Sequence, residues 1–185
     1  MQSTIMYKRI VLLVLILGGV SVSLTAQKYT TEKTFVSFFS DAAIEDISAD
    51  NTKTVGVFNS TTGEIAFSVP IKDYEFEKSL MKEHFNEKYM ESEKFPKSTF
   101  QGKVIGYDPN ATGPQNANSK GKLTIHGVTK EVEIPGTIEK QGENLVIKSK
   151  FIVKLEDYKI AIPKLLWQNI AEQVEVTVDF TFKPQ

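Results

Sequence analysis

Alternation of apolar and polar side chains with a period of two is the feature that most constrains this chain. From Val174 to Phe182 every second residue is valine or phenylalanine, and the residues between them are polar. This spacing predicts a β-strand with one apolar and one hydrated face. Less regular alternation recurs in five further segments: Thr54–Phe58, Glu64–Pro70, Thr99–Ile105, Lys122–Ile134 and Leu145–Leu155. The pattern therefore predicts an all-β fold.

Short turn signals separate these segments and indicate how the strands pair. Asn59–Gly63 and Gln141–Asn144 are rich in turn-forming residues. His126 and Gly127 suit a two-residue hairpin, because glycine accepts positive φ freely and histidine tolerates it better than most residues. Consecutive strands joined by such turns pair antiparallel, and seven or eight of them form a barrel or a sandwich. Gly106–Lys120, rich in Asn, Gly and Pro, is predicted to be a long hairpin tip.

Two segments break the β pattern. In residues 76–93 apolar side chains recur four positions apart, with Glu and Lys between them, which predicts an amphipathic helix. The apolar pairs are Phe76 with Leu80, and Met81 with Phe85 and Tyr89. Ile162–Ala171 is predicted to be a short helix or turn, and it contains the only tryptophan of the chain, Trp167.

Residues 1–26 have the features of a secretory signal peptide. Lys8 and Arg9 precede the apolar run Ile10–Val22, and small residues lead to Ala26 before the polar Gln27. We expect cleavage after Ala26 and one domain over residues 27–185. A retained membrane anchor is the alternative, but the run is shorter than the roughly 20 residues that a spanning helix needs. We therefore expect no stable membrane span after cleavage.

The composition argues against several classes of function. The chain has no cysteine, which removes disulfides, thiol catalysis and thiolate metal sites. Its net charge is −1, and Arg9 is its only arginine, so a nucleic-acid partner is not expected. His84 and His126 are its only histidines, too few for a zinc site unless carboxylates join them. We predict neither a metal nor a cofactor.

No catalytic motif is recognisable in the sequence. The G-x-S-x-G motif is absent, and neither histidine has a serine and an acidic residue at a spacing that would indicate a catalytic triad. Paired carboxylates, such as Glu131 with Glu133, alternate along segments that we expect to be exposed. The sequence therefore predicts a protein that is not an enzyme.

The charge-dense segment 80–104, LMKEHFNEKYMESEKFPKSTFQGKV, combines three short motifs: HFN at 84–86, FP at 95–96 and FQG at 100–102. Together they resemble the signature of the YceI-like family. Four further segments agree with that family in the same order along the chain: 35–51, 60–71, 121–136 and 157–163. The resemblance extends from about Thr31 to Lys183.

This resemblance implies a fold and a class of ligand. The fold is an extended, lipocalin-like antiparallel β-barrel, here of about eight strands with a helical insertion near 76–93. The implied protein is periplasmic or secreted, and its apolar interior binds a long-chain isoprenoid, a quinone or another lipid. Barrels of this kind are often dimers, so a homodimer is a further expectation.

An eight-stranded barrel either fills its interior with side chains or leaves room for one ligand. A tunnel lined by apolar residues suits a polyprenyl chain, which gains about 0.8 kcal/mol for each buried CH₂. We predict that the following residues line such a cavity: Phe58, Ile65, Phe67, Val69, Leu80, Met81, Phe85, Tyr89, Phe100, Phe151, Trp167, Val178 and Phe180. The alternative is that these side chains simply pack against one another.

Three functions remain open from the sequence. The first is a carrier that shields an isoprenoid or similar lipid from water. The second is a non-catalytic envelope stress or interaction module with a filled barrel. The third is an enzyme acting on a lipid, which would need a polar cluster with shifted pKa values inside the cavity. Lysines near the insertion could hold a diphosphate or quinone headgroup, or could only solubilise the surface: Lys82, Lys88, Lys94, Lys97 and Lys103.

Overall fold

The computed structural model describes residues 27–41, 46–162 and 171–185. Within these ranges the chain forms ten β-strands: β1 (Lys28–Ser40), β2 (Ile47–Asn51), β3 (Val55–Asn59), β4 (Glu64–Pro70), β5 (Glu75–Phe76), β6 (Lys97–Ile105), β7 (Gln115–Ile125), β8 (Val128–Gln141), β9 (Asn144–Lys154) and β10 (Gln173–Pro184). Its helical elements are α1 (Ser79–His84), a π-helical turn (Phe85–Tyr89) and two 3-10 turns (Ile71–Asp73 and Glu156–Tyr158). The predicted signal peptide lies outside the described residues.

Eight of the strands in the described ranges close an antiparallel barrel. Their order is β1-β3-β4-β6-β7-β8-β9-β10, and β10 pairs back onto β1. The hairpin of β7 and β8 is the longest continuous ladder, running from the Ile125–Val128 pair to the Gln115–Ile138 pair. The prediction of a lipocalin-like antiparallel barrel of about eight strands is thus confirmed. β2 and β5 form a small addition beside the second half of β1.

Strand β1 is not recognisable by simple alternation, because it contains a β-bulge and carries apolar side chains on both faces. The register of its pairing with β10 shifts between Thr31 and Lys33, which marks a β-bulge. A bulge inserts an unpaired residue and changes which side chains face the interior. Beyond it Phe35 and Phe39 point outward, 36% and 42% exposed, while Val36 and Phe38 face inward. Apolar residues on both faces therefore hide the period of two.

The β7–β8 connection is the two-residue turn that the sequence predicts. His126 and Gly127 have φ values of 50° and 72°, which is the type I′ conformation favoured in tight hairpins. A Cβ atom added to Gly127 would lie 2.4 Å from the ring of Phe95. Glycine is therefore required at position 127 both for its backbone conformation and for space.

The predicted hairpin tip over Gly106–Lys120 is too long, since β7 begins at Gln115. Residues 115–120 pair with β8 and alternate between half-buried and exposed side chains. The half-buried positions in this stretch hold small or polar residues such as Ala117 and Ser119. Without large apolar side chains on one face, the strand gives no alternation signal.

The insertion between β5 and β6 is helical, but it is shorter than the predicted span of 76–93. Phe76 belongs to β5 and pairs with Ala49 of β2, so it cannot start the helix. Helix α1 begins at Ser79, and the helical segment ends with the π-helical turn at Tyr89. Glu91 then takes a left-handed conformation, with φ of 44°, which redirects the chain toward β6.

Aromatic rings fill one half of the barrel interior. We call this group the aromatic plug: Tyr29, Phe58, Phe100, Phe180 and Phe182, each at most 1% exposed. The ring centroids of Phe58 and Phe182 lie 6.2 Å apart, and those of Phe180 and Phe182 lie 6.1 Å apart. A barrel of this width can be closed by side chains alone, and in this half it is.

Two paired glycines make room for the plug. Gly102 of β6 lies opposite Gly121 of β7. A Cβ atom at Gly102 would lie 2.7 Å from Cζ of Phe100 and 2.3 Å from the carbonyl oxygen of Lys120. The ring of Phe100 therefore extends over a position where only a hydrogen atom fits.

Candidate ligand-binding cavity

The other half of the barrel holds a cavity of about 560 Å³. Because every second residue of a strand points to the same face, five strands of the barrel contribute alternate side chains to the wall. These are Val36, Phe38 and Ser40 of β1, Phe67 and Val69 of β4, Leu123 and Ile125 of β7, Phe151 and Val153 of β9, and Val174, Val176 and Val178 of β10.

The helical insertion forms the wall at the end of the barrel where this cavity lies. Met81 and His84 of α1 line the cavity, as do Phe85 and Tyr89 of the π-helical turn. Leu80 also lines it but is 60% exposed, so this side chain lies at the rim. The insertion thus contributes a mostly apolar wall and part of the rim.

Four aromatic residues attach the insertion to the barrel. Phe85 stacks on Phe38 of β1, with ring centroids 5.4 Å apart and planes 16° from parallel. Phe85 also contacts Phe76 at 5.0 Å and Tyr74 at 5.5 Å. Such pairs contribute about 0.5–1.5 kcal/mol each beyond the area that they bury. All four rings line the cavity, so the same contacts that hold the insertion also shape the site.

The wall of the cavity is close to uncharged. Burial raises the pKa of Tyr74 well above its ordinary value of 10.0, and the nearby Asp50 carboxylate raises it further. The phenol is therefore neutral at physiological pH. The polar side chains in the lining of the described residues are few: Ser40, Tyr74, Lys78, His84, Tyr89, Ser98 and Thr99.

No carboxylate of the described residues lines the cavity. The same part of the chain contains no group of three or more His, Cys, Asp or Glu residues placed to hold a metal ion. The arrangement provides an apolar surface that can enclose a chain, with a small number of hydroxyl and basic groups near it.

Phe67 forms the floor of the cavity. Its ring lines the open space, yet it also stacks on Phe100 of the aromatic plug at 5.3 Å and 22°. On another side it meets the ring of Phe180 edge to face, at 5.3 Å and 79°. Phe67 thus lies at the boundary between the open half of the barrel and the filled half.

The structure brings eight of the thirteen predicted lining residues together around the cavity: Phe67, Val69, Leu80, Met81, Phe85, Tyr89, Phe151 and Val178. Four others lie below the floor and do not line it: Phe58, Ile65, Phe100 and Phe180. Alternation identifies which face of a strand points inward, but not how far along the barrel the interior is filled. Trp167 lies outside the described residues.

Several lining residues are not among the predicted ones. Val36 and Phe38 are missed because the outward-facing phenylalanines of β1 obscure the alternation pattern of this strand. Phe76 is the start of the helix predicted over 76–93, and Tyr74 lies just before it, in a stretch without a periodic pattern. Ile160, after the 3-10 turn at Glu156–Tyr158, is also missed, and only the resemblance of residues 157–163 to the family pointed to this segment.

The five lysines considered for a headgroup do not line the cavity. Lys82 forms an ion pair with Glu75 at 3.1 Å. Lys94 lies over the ring of Phe95, 4.8 Å from its centroid. Lys88, Lys97 and Lys103 are exposed. The basic side chains that line the cavity, in the part of the chain described, are those of Lys78 and His84.

A histidine-centred contact ties the end of the insertion to the barrel. Nε2 of His126 lies 2.9 Å from Oε2 of Glu91, and its Nδ1 lies 3.2 Å from the carbonyl oxygen of Tyr158. The ring of Phe95 packs edge to face on His126 at 4.5 Å. His126 therefore joins three segments: the insertion, the β7–β8 hairpin and the 3-10 turn after β9.

A closed antiparallel barrel with one apolar cavity, walled by a helical insertion, defines the lipocalin-like class of fold. In the described ranges no helix is both long and apolar enough to cross a membrane. The chain belongs to the YceI-like domain family, whose model matches residues 24–182. The resemblance noted in the sequence is thereby confirmed.

Solved structures share this fold at low sequence identity. A polyisoprenoid binding domain from Saccharophagus degradans, implicated in plant cell wall breakdown, is 14% identical with a TM-score of 0.73, covering 85% of this chain and 98% of that one. BcnA from Burkholderia cenocepacia is 15% identical with a TM-score of 0.68, covering 80% and 95%. The YceI protein of Campylobacter jejuni is 16% identical with a TM-score of 0.57, covering 72% and 80%. Among curated proteins, none gives a significant match.

Proposed function

We propose that this protein is a secreted or periplasmic binding protein that holds a long-chain isoprenoid, or a similar lipid, in its barrel. The observation that carries the proposal is the cavity of about 560 Å³ with a nearly continuous apolar wall. Its volume falls within the range of about 300–1,000 Å³ that is typical of small-molecule sites. The likeness in fold to a polyisoprenoid binding domain supports the same class of ligand.

The driving force in this proposal is the burial of hydrocarbon. Each enclosed CH₂ contributes about 0.8 kcal/mol, so about ten enclosed carbons would contribute roughly 8 kcal/mol before the costs of association. The preformed wall keeps the ordering cost low, because the aromatic contacts of Phe85 already fix the insertion. A quinone would fit the same scheme, since only its isoprenoid tail needs to be enclosed.

The competing functions fit the molecule less well. A filled-barrel interaction module agrees with the aromatic plug but leaves the open half of the barrel without a role. An enzyme would need a convergent polar cluster, and the lining of the described residues offers separated hydroxyls, one lysine and one histidine. We therefore propose binding without catalysis.

Export is part of the proposal, and it rests on residues 1–26. A basic start, an apolar run and a small-residue end favour cleavage after Ala26. A carrier outside the cytoplasm would shield an isoprenoid from water in an aqueous compartment. A homodimer stays a prediction, which sedimentation of the mature protein would test.

Native mass spectrometry of freshly purified protein tests the proposal, with organic extraction of any bound molecule and uptake of added polyprenols. Val176 faces the cavity from β10, and Val176→Trp would fill the space that a chain needs. Thr177→Trp is the matched control, because the next residue of β10 points to the outer face beside Lys150. We expect binding in the wild type and in T177W, and at least a tenfold loss in V176W. Wild-type protein that carries no lipid after purification and takes up no added polyprenol would contradict the proposal.

A further inference from the structure

The depth of the cavity is fixed by the boundary between the open and the filled half of the barrel. On β1 and β10 the lining residues extend over four residue steps, from Val36 to Ser40 and from Val174 to Val178. At about 3.3 Å per residue, four steps span about 13 Å along a strand. The strands themselves are much longer, since β10 has 12 residues and β1 has 13.

An extended isoprene unit advances the chain by four bonds of about 1.5 Å in a zigzag, or about 5 Å. About three units therefore match the length over which β1 and β10 line the cavity. A longer isoprenoid would leave its remaining units, and its headgroup, outside the enclosed space. Below the floor the plug offers no space, because its rings are in contact with one another.

From this geometry we infer that Phe67 limits how much of an isoprenoid the protein encloses, to about three units, and so determines its chain-length preference. This inference rests on the proposed function and adds the specificity of the same site. Phe67 is the boundary residue because its ring meets the cavity on one side and both Phe100 and Phe180 on the other.

The contacts of Phe67 explain why one substitution would change the depth. Removal of its ring leaves the faces of Phe100 and Phe180 that it covered facing the cavity. Both of these side chains are held from behind, Phe180 by Phe182 and Phe100 by its close approach to Gly102. The space of the lost ring therefore becomes extra depth at the bottom of the cavity.

Isothermal titration of purified, delipidated protein with linear prenyl alcohols of two to six isoprene units tests the inference. A buried carbon changes affinity about fourfold, so each enclosed unit raises it at least tenfold. For the wild type we expect the affinity to rise in this way up to alcohols of about three units. Each further unit should change the affinity by less than about threefold. For Phe67→Ala we expect the rise to continue by at least one further unit.

Phe58→Leu is the matched control, because Phe58 belongs to the plug but does not line the cavity. It loosens the plug while Phe67 stays in place, and its affinity series should follow that of the wild type. Phe67→Leu provides a milder opening if the alanine variant does not fold, and it should tighten binding of the four-unit alcohol at least threefold.

The outcomes separate the two proposals. A wild type that binds no prenyl alcohol overturns the proposed function together with this inference. A wild type that binds, but whose affinity keeps rising through six units, overturns the inference alone. So does a Phe67 variant that folds and keeps the wild-type plateau, or a Phe58→Leu variant that shifts the plateau as far as the Phe67 variants do.

Discussion

At the scale of single residues, the role of a side chain in this barrel depends on two things. One is the face of the strand that it occupies, and the other is its position along the barrel axis. Phe67 and Phe100 are paired neighbours on β4 and β6, and their rings stack. Yet Phe67 borders open space, and Phe100 is fully enclosed over a glycine pair. Two identical residues in register therefore have different roles, one at the floor of the site and one in the plug.

Tyr74 gives the cavity wall a measurable response to alkaline pH. Burial, and secondarily Asp50, raises the pKa of its phenol above the ordinary value of 10.0. In the unfolded chain the phenol ionises near its ordinary value, so unfolding above about pH 10 releases a proton. The contribution of Tyr74 to stability is thus fully present below pH 10 and falls, by about 1.4 kcal/mol per pH unit, as the pH rises toward the folded pKa.

Tyr74→Phe should remove this dependence, because phenylalanine keeps the ring and cannot ionise. Urea unfolding at several pH values from about 9 to 11.5 measures it, and the other tyrosines and lysines cancel in the difference between the two proteins. We expect the free energy of unfolding of the wild type to fall more steeply than that of Y74F above about pH 10. Parallel curves would contradict the assignment.

At the scale of elements, the insertion is held at two separate places. Phe85 anchors its middle through ring contacts with β1 and β5, and Glu91 anchors its end through His126. The wall of the cavity between these anchors is a short helix continued by a π-helical turn. A π-helical turn is rare and is often found at functional sites, which agrees with the place of Phe85 and Tyr89 in the lining.

Glu91→Asn tests the second anchor. Asparagine tolerates the left-handed backbone of position 91, but its shorter side chain cannot reach Nε2 of His126. We expect a loss of about 0.5–1 kcal/mol in the free energy of opening of the insertion. Hydrogen exchange should show it as a roughly two- to fivefold faster exchange of the amides of Met90 and Ser92.

Glu93→Gln is the control for this prediction, because Glu93 lies in the same segment and pairs with the exposed Lys72. In the Glu93→Gln variant, the backbone amides of residues 90–92 should exchange at the wild-type rate. If both variants exchange alike, the contact with His126 is not what holds the end of the insertion.

The sequence predicts the elements of this protein better than it predicts the cavity. Regular alternation identifies β10, and the His-Gly pair identifies the β7–β8 turn, since both signals are local. The bulge in β1 and the polar first half of β7 are not visible, because long-range pairing determines those strands. The boundary at Phe67 depends on contacts between residues of three strands, β4, β6 and β10, and no local sequence pattern indicates it.

At the scale of the whole molecule, one continuous barrel combines a packed half with an open half. Interior side chains in the plug have partners on every side, whereas those in the lining face empty space on one side. The cost of removing a buried side chain grows with the contacts that it loses and the cavity that it leaves. The plug should therefore contribute most of the stability, so that lining residues can be substituted to suit a ligand at a smaller cost in stability.

Two phenylalanine-to-alanine substitutions compare the halves directly. Phe182 is fully buried in the plug, and Phe151 of β9 is half-buried beside the cavity. We expect Phe182→Ala to lose about 3–5 kcal/mol of the free energy of unfolding, and Phe151→Ala about 1–2 kcal/mol, both measured by urea unfolding without ligand. A loss for F151A that equals the loss for F182A would mean that the lining is packed as tightly as the plug. Such a result would contradict the division of the barrel interior into a tightly packed plug and a loosely packed cavity lining.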